Sequence, residues 1–82
     1  MTSSVREYLR LTRDIRDAAR SENLTELHRL ITARQKVVPL VVEAADEIPE
    51  WARRKLVEAQ ADAQASLRDL KLKIEVDLER VR

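Results

Sequence analysis

The sequence predicts an all-α protein: an antiparallel three-helix bundle with a long third helix and coiled-coil-like packing. Glycine is absent and proline occurs only twice among the 82 residues, whereas Ala, Leu, Val, Arg, Glu and Lys, the composition of helix bundles, dominate. Apolar residues also recur at alternating spacings of three and four, the pattern of amphipathic helices that pack together. A chain of this length fits one helical domain over residues 1–82.

The first helix is predicted to span about residues 4–20. The Ser4 hydroxyl can accept from the backbone N–H of Glu7 while the Glu7 carboxylate reaches back, which is a capping box. A regular stripe follows one face of this helix and consists of Val5, Tyr8, Leu9, Thr12, Ile15 and Ala19. We therefore expect one packed face and one face in water.

The second helix is predicted over about residues 24–45, after a short polar connector at residues 21–23. Asn23, three residues before Glu26, has the pattern of an N-cap, and so short a connector predicts an antiparallel turn. Pro39 lies inside the apolar pattern and predicts a kink, because proline lacks a backbone donor and crowds the carbonyl four residues earlier.

The third helix is predicted over about residues 49–82. Asp46 can cap it, and Pro49 falls in the first turn, where a missing N–H costs nothing. The final segment KLKIEVDLERVR alternates apolar and charged residues, as strands do. A strand would need a preceding turn and a second strand to pair with, and the sequence offers neither, so the segment is predicted as helix.

The third helix is expected to extend past the other two. At about 1.5 Å per residue it spans roughly 50 Å, against roughly 35 Å for the second helix and roughly 25 Å for the first. Its apolar residues near the C-terminus form two stripes on nearly opposite sides. We expect them to contact a protein partner, and the predicted contact residues are Leu67, Leu70, Leu72, Ile74, Val76, Leu78 and Val81. A second copy of the chain could cover the same surface.

Charge and composition point away from several other classes. Sixteen basic and fifteen acidic residues leave a formal charge of +1, too small to attract nucleic acid or anionic lipid strongly. Cysteine is absent, which fits a reducing cytoplasm, and no apolar run approaches the length of a membrane span. His28 has no second imidazole or thiolate near it in the sequence. No catalytic, cofactor-binding or metal-binding residues are predicted.

The layout resembles the FliT-type flagellar export chaperones, a family of small bacterial helical proteins. The resemblance lies in the opening helix YLRLTRDIRDAA, the polar joint RSENLTEL, the arginine within LITARQKVV, the proline-marked break EIPEW and the closing LRDLKLKIEVDLERV. It implies a cytoplasmic chaperone or adaptor that binds an export substrate, typically the filament-cap protein, or a component of the flagellar type III export apparatus. It also places partner contact on the apolar stripe of the last helix.

Two alternatives remain open at this stage. Small all-helical chorismate mutases have a similar length, and their first helix carries runs comparable to LHRLITARQ, with Arg34 in an otherwise apolar stripe. Such an enzyme would bury several cationic side chains around a dianionic substrate, whereas a single Arg is more simply explained by packing of its stem. The other alternative is a general helical adaptor that forms dimers.

Overall fold

The computed structural model describes residues 2–81 and confirms the all-α class with a long third helix. The helices are α1 (Ser3–Arg20), α2 (Leu24–Glu43) and α3 (Glu50–Val81), with a 3₁₀ turn at Ala45–Glu47 between α2 and α3. Helix α3 has 32 residues, against 20 in α2 and 18 in α1. The second helix ends two residues earlier than predicted. Met1 and Arg82, which were included in the predicted domain, lie outside the described residues.

The ends of α1 are fixed by local hydrogen bonds. Thr2, not Ser4, caps the helix: its hydroxyl accepts from the Val5 N–H at 3.4 Å. The prediction of a Ser4 cap was wrong because the helix begins at Ser3, so Ser4 lies inside its first turn. At the other end Glu22 adopts a left-handed conformation with φ of 57°. The N–H of Asn23 then reaches the Ala18 carbonyl at 3.0 Å, as in a Schellman motif.

The predicted N-cap is present at the start of α2 but not at the start of α3, which begins within one residue of the predicted position. The Asn23 side chain accepts from the Glu26 N–H at 3.1 Å, which confirms the predicted cap. Asp46 lies in the 3₁₀ turn, so the prediction that it caps α3 was wrong. The Pro49 carbonyl accepts from the Ala52 and Arg53 N–H groups at 3.0 Å each and so opens the helix.

Helix α1 lies in the middle of the molecule and packs against both α2 and α3. Its buried residues are Val5, Leu9, Leu11, Thr12, Ile15, Ala18 and Ala19. The prediction of a single packed face was therefore too narrow, since Leu11 and Ala18 lie outside the predicted stripe. A helix with a neighbour on two sides must bury two stripes rather than one.

Helix α3 turns a stripe of small residues inward. Its buried residues are Ala52, Ala59, Ala63, Ser66 and Leu70. Small side chains allow two helix axes to approach closely, and α1 supplies the larger apolar groups that fill this contact. Larger apolar residues of α3, such as Leu56 and Leu67, are only half-buried because they lie along the edge of that face.

The cross-helix contacts fix the relative directions of the helices. Arg20 at the end of α1 donates to the Ser66 hydroxyl at 3.3 Å, and Glu22, just beyond, pairs with Lys73 at 2.7 Å. Residues near the end of α1 therefore lie beside residues in the second half of α3, so the two helices run parallel while α2 runs antiparallel to both.

Helix α2 is continuous across Pro39. The kink expected at Pro39 stays a prediction. No helix within residues 2–81 has both the length and the apolar character needed to cross a bilayer.

Candidate protein-binding site

The C-terminal turns of α3 extend beyond the rest of the chain. The Lys73–Glu22 ion pair marks the level at which α1 ends and the connector to α2 begins. We call the α3 residues that follow this pair, residues 74–81, the overhang; they make about two helical turns. Every residue of the overhang is exposed.

Exposure rises steadily along the seam of α3, the side of the helix that faces the bundle. Leu70 is 7% exposed, Ile74 38%, Leu78 60% and Val81 84%. At roughly 100° per residue these four residues lie on one side of the helix. The rise in exposure is therefore not explained by the residues pointing to different sides of the helix. It arises because α1 and α2 stop covering that side. The overhang therefore presents an apolar stripe with nothing from the described chain opposite it.

An apolar groove leads from the core to the overhang. It has a volume of about 390 Å³ and lies between the start of α2 and the second half of α3. Its apolar lining consists of Leu24, Leu27, Leu67, Leu70 and Ile74. Leu24 is 56% exposed although it is a large apolar side chain. The groove and the overhang form one continuous apolar surface through Ile74.

The predicted contact residues fall into three groups in the structure. Leu70 belongs to the hydrophobic core and also forms the floor of the groove, and its role as a contact residue stays a prediction. Leu67 is half-buried against the same core. The exposed group consists of Leu72, Ile74, Val76, Leu78 and Val81.

Leu72 and Val76 form a second apolar stripe on α3. They are 53% and 47% exposed. At roughly 100° per residue they lie nearly opposite Leu70, on the side of α3 that faces away from α1. The two-stripe arrangement predicted from the sequence is therefore present, although only the seam stripe adjoins the groove.

Charged residues border the apolar surface in a fixed order. Lys71 and Lys73 come first along α3, and Glu75 and Asp77 follow. Lys71 and Glu75 lie on the rim of the groove, with Nζ and Oε1 4.0 Å apart. Lys73 lies on the other side of the seam, where its hydrogen bond to Glu22 raises the pKa of the ammonium above the ordinary value.

The wall of the groove that α2 provides was not predicted from the sequence. Leu24 and Leu27 are not among the predicted contact residues; Leu24 is exposed and Leu27 is buried. Their position just after a three-residue connector is the signal that could have identified them. A tight turn places the first turn of α2 beside the end of α1, at the level where α3 leaves the bundle.

Arg34 has a structural role in the middle of the bundle. Its Nη1 donates to the Thr12 hydroxyl at 3.3 Å and to the Gln60 side-chain oxygen at 2.9 Å, and its guanidinium carbon lies 5.6 Å from the centre of the Tyr8 ring. The guanidinium therefore joins all three helices. The acceptor on α3 is the side-chain amide oxygen of Gln60.

Several other exposed side chains lie outside the groove and the overhang. His28 is exposed on α2, and within residues 2–81 no group of three or more His, Cys, Asp or Glu side chains converges to hold a metal ion. Trp51 is 53% exposed, with the Lys55 ammonium 5.4 Å from its ring centre. Three further apolar side chains in the second half of α2 are exposed, namely Val38, Leu40 and Val42.

Comparisons with protein-family models, with curated proteins and with solved structures found no match to this chain.

Proposed function

We propose that this chain is a protein-binding chaperone or adaptor of the FliT type, which binds a flagellar export substrate through the groove and the overhang of α3. The observation that carries the proposal is the continuous apolar surface formed by the groove and by Ile74, Leu78 and Val81. Contiguous exposed apolar surface is typical of interaction sites on small soluble domains.

The shape of this surface suits an amphipathic helix. A helix laid in a groove contacts its receptor through residues about one turn apart, and the seam of α3 repeats at the same interval. Full burial of a Leu or Ile side chain stabilises a complex by about 1.5–3 kcal/mol. Covering Leu24, Ile74 and Leu78 together is therefore enough to compensate a substantial part of the entropy lost on association.

The resemblance in sequence layout supports the choice of partner. By position, the resemblance places partner contact on the closing helix, and here the closing helix carries the exposed stripe. The proposed partner is the filament-cap protein or a component of the export apparatus, and the proposed location is the bacterial cytoplasm. The chorismate mutase alternative has less support, because the half-buried Arg34 guanidinium is engaged by Thr12 and Gln60.

The test is a calorimetric titration of purified filament-cap protein into the wild-type chain and two matched variants. Leu78→Glu places a charge on the overhang. Val57→Glu places the same charge on α3 at a residue that is 69% exposed and remote from the groove. We expect the wild type and Val57→Glu to bind equally and Leu78→Glu to bind at least about tenfold more weakly, the loss of about 1.4 kcal/mol.

Two results would contradict the proposal. Absence of binding by the wild-type chain would remove the flagellar assignment. Equal weakening by Leu78→Glu and Val57→Glu would place the contact elsewhere on the molecule. A chorismate turnover assay on the same preparation tests the enzymatic alternative, and conversion of chorismate that Arg34→Ala abolishes would favour the enzyme.

A further inference from the structure

We infer that a second copy of this chain covers the overhang, with the two α3 helices crossing in antiparallel orientation next to Ile74. This inference goes beyond the proposed function and does not depend on it. It concerns the chain without any other partner, and it rests on the order of charges along α3 together with the apolar groove.

The charged residues beside the seam of α3 lie symmetrically about Ile74. At roughly 100° per residue, Lys71 and Glu75 lie on one flank of Ile74, and Lys73 and Asp77 lie on the other flank. Each flank therefore carries one base followed by one acid four residues later. The midpoints of the two pairs lie at residues 73 and 75, so the pattern is centred on Ile74.

Two α3 helices can pair in antiparallel or in parallel orientation, and the charges distinguish the two. In an antiparallel pair related by a two-fold axis beside Ile74, each flank faces the same flank of the other copy. Lys71 then comes within about 3 Å, measured along the axis, of Glu75 of the second copy, and Lys73 is equally close to Asp77. Both flanks are complementary in charge.

A parallel pair in register would have the opposite result. Each flank would then face the other flank of the second copy, which places Lys71 near Lys73 and Glu75 near Asp77. Like charges across a helix interface disfavour that arrangement, as they do at the flanking positions of coiled coils. The order of the charged residues along α3 therefore favours antiparallel pairing.

The apolar residues of the two copies also come together in this register. With Ile74 opposite Ile74, the Leu78 side chain of each copy lies level with Leu70 of the other. Leu70 forms the floor of the groove, and Leu24 forms its exposed wall. Each overhang would thus fill the groove of the other copy. The Leu78 side chain, which is 60% exposed in the single chain, would then be covered by the groove of the second copy.

The intramolecular ion pairs leave these charges available. Lys71 and Glu75 are 75% and 54% exposed, and Lys73 is 55% exposed although it contacts Glu22. Exposed pairs of this kind are worth little, so their rearrangement in a dimer costs little. The charges therefore determine orientation, while the apolar contacts supply the affinity.

The test exchanges the charges without changing the apolar residues. In the exchanged variant, K71E/K73E/E75K/D77K, the acids come first and the bases follow. We expect the wild type and the exchanged variant each to form dimers in sedimentation equilibrium. A mixture of the two, each with a different fluorophore, should give no energy transfer above the level of a non-associating control, because antiparallel pairing of unlike copies brings like charges together.

Two half-exchanged variants keep the test decisive if the fourfold variant folds poorly. K71E/K73E makes the flanks entirely acidic and E75K/D77K makes them entirely basic. Each should dimerise at least tenfold more weakly than the wild type, and their equimolar mixture should restore association. Circular dichroism verifies that each variant is helical.

Three outcomes would overturn the inference. The wild type could sediment as a monomer at every concentration up to the solubility limit. The exchanged variant could associate with the wild type more strongly than either associates with itself, which is the signature of parallel pairing. The half-exchanged variants could dimerise like the wild type, which would place the dimer contact elsewhere. None of these outcomes affects the titration with filament-cap protein, so the two proposals can fail separately.

Discussion

Arg34 connects the three helices through side-chain hydrogen bonds, from α2 to Thr12 on α1 and to Gln60 on α3. Thr12 is fully buried, so its hydroxyl has no access to solvent. Hydrogen bonds that involve a charged donor contribute more than neutral ones. The aliphatic stem of Arg34 also packs, which makes its removal more costly than the loss of the charge alone.

We expect Arg34→Ala to lower the free energy of unfolding by about 2 kcal/mol, because it removes both the charged hydrogen bonds and the packing of the stem. Arg34→Met, which retains most of the stem, should cost about 1 kcal/mol. Urea denaturation followed by circular dichroism measures both. Equal stability of the wild type and the alanine variant would show that the contacts to Thr12 and Gln60 do not hold the bundle together.

Glu22 occupies a backbone conformation that favours glycine. Its φ of 57° lies in the left-handed region, which costs a non-glycine residue about 1–2 kcal/mol. The Schellman geometry at the end of α1 requires this conformation. The chain contains no glycine, so the strain is retained, partly compensated by the exposed contact between Glu22 and Lys73.

Glu22→Gly is expected to raise the free energy of unfolding by about 1 kcal/mol, since relief of the left-handed strain exceeds the loss of an exposed ion pair. Glu22→Ala is the matched control, because it removes the same ion pair and keeps the strain; it should be no more stable than the wild type. The melting temperatures of the wild type and of the two variants measure these differences in stability. A glycine variant less stable than the alanine variant would contradict this account.

Helix α3 has one buried part and one exposed part on the same side, and the boundary lies between Leu70 and Leu78. Leu70 contacts the core and Leu78 does not. This boundary makes the helix both a structural element and the candidate binding surface. Its position follows from the lengths of the elements, because α1 ends at Arg20 and α2 begins at Leu24.

Leu70→Ala should destabilise the folded chain by about 2–4 kcal/mol, because it leaves a cavity among buried residues. Leu78→Ala, the same substitution two turns later, should change the stability of the monomer by less than about 0.5 kcal/mol. Chemical denaturation at low protein concentration measures the monomer in both cases. Similar losses for the two variants would mean that the overhang is part of the core.

The sequence was sufficient to predict the helices but not their arrangement. Absence of glycine, the cap at Asn23 and the unbroken pattern after Pro49 are local signals, and each corresponds to an element of the structure. Periodicity identifies residues that share a face, but it does not say which helix lies opposite. For that reason the central place of α1 and the inward turn of the small residues of α3 were not predicted.

The candidate site was predicted in part for the same reason. The exposure of Ile74 and Leu78 follows from the length of α3, which the sequence states directly. The burial of Leu70 and the exposure of Leu24 depend on the level at which the connector crosses α3. That level is set by packing between α1 and α3, which a single sequence does not specify.

Exposed ion pairs affect the pH dependence of the whole molecule. Hydrogen bonds from Arg10 and Arg29 lower the pKa values of Glu7 and Glu26 below the ordinary 4.5. A lowered carboxyl pKa contributes stability above pH 4.5 that is lost as the pH falls through the lowered value. The raised pKa of Lys73 contributes stability below pH 10.5 that is lost as the pH rises through the raised value.

We expect the melting temperature to decline on both sides of the window between pH 4.5 and pH 10.5. The double variant Glu7→Gln with Glu26→Gln should have a shallower decline on the acid side. It lacks the two carboxyl groups whose lowered pKa values link folding to the binding of protons. Glu58→Gln, at an exposed residue outside these pairs, serves as the control. An acid decline of equal steepness in the double variant and the wild type would assign the effect to other carboxylates.

At the scale of the whole molecule, the central claim is that the overhang is uncovered in the single chain and becomes covered by another protein surface. A terminal helix without tertiary contacts opens readily, and its amide protons exchange quickly with solvent. Contact with a second copy or with a partner suppresses that opening. The exchange rates of the overhang therefore report directly on whether it is covered.

The most direct test is amide hydrogen exchange across residues 74–81 at low chain concentration, at high chain concentration and with excess filament-cap protein. The account predicts fast exchange at low concentration and at least tenfold slower exchange in the other two conditions, with the core amides near Ile15 unchanged. Slow exchange at low concentration would mean that the chain covers its own overhang. Fast exchange in all three conditions would mean that nothing binds there, and either result would contradict the account.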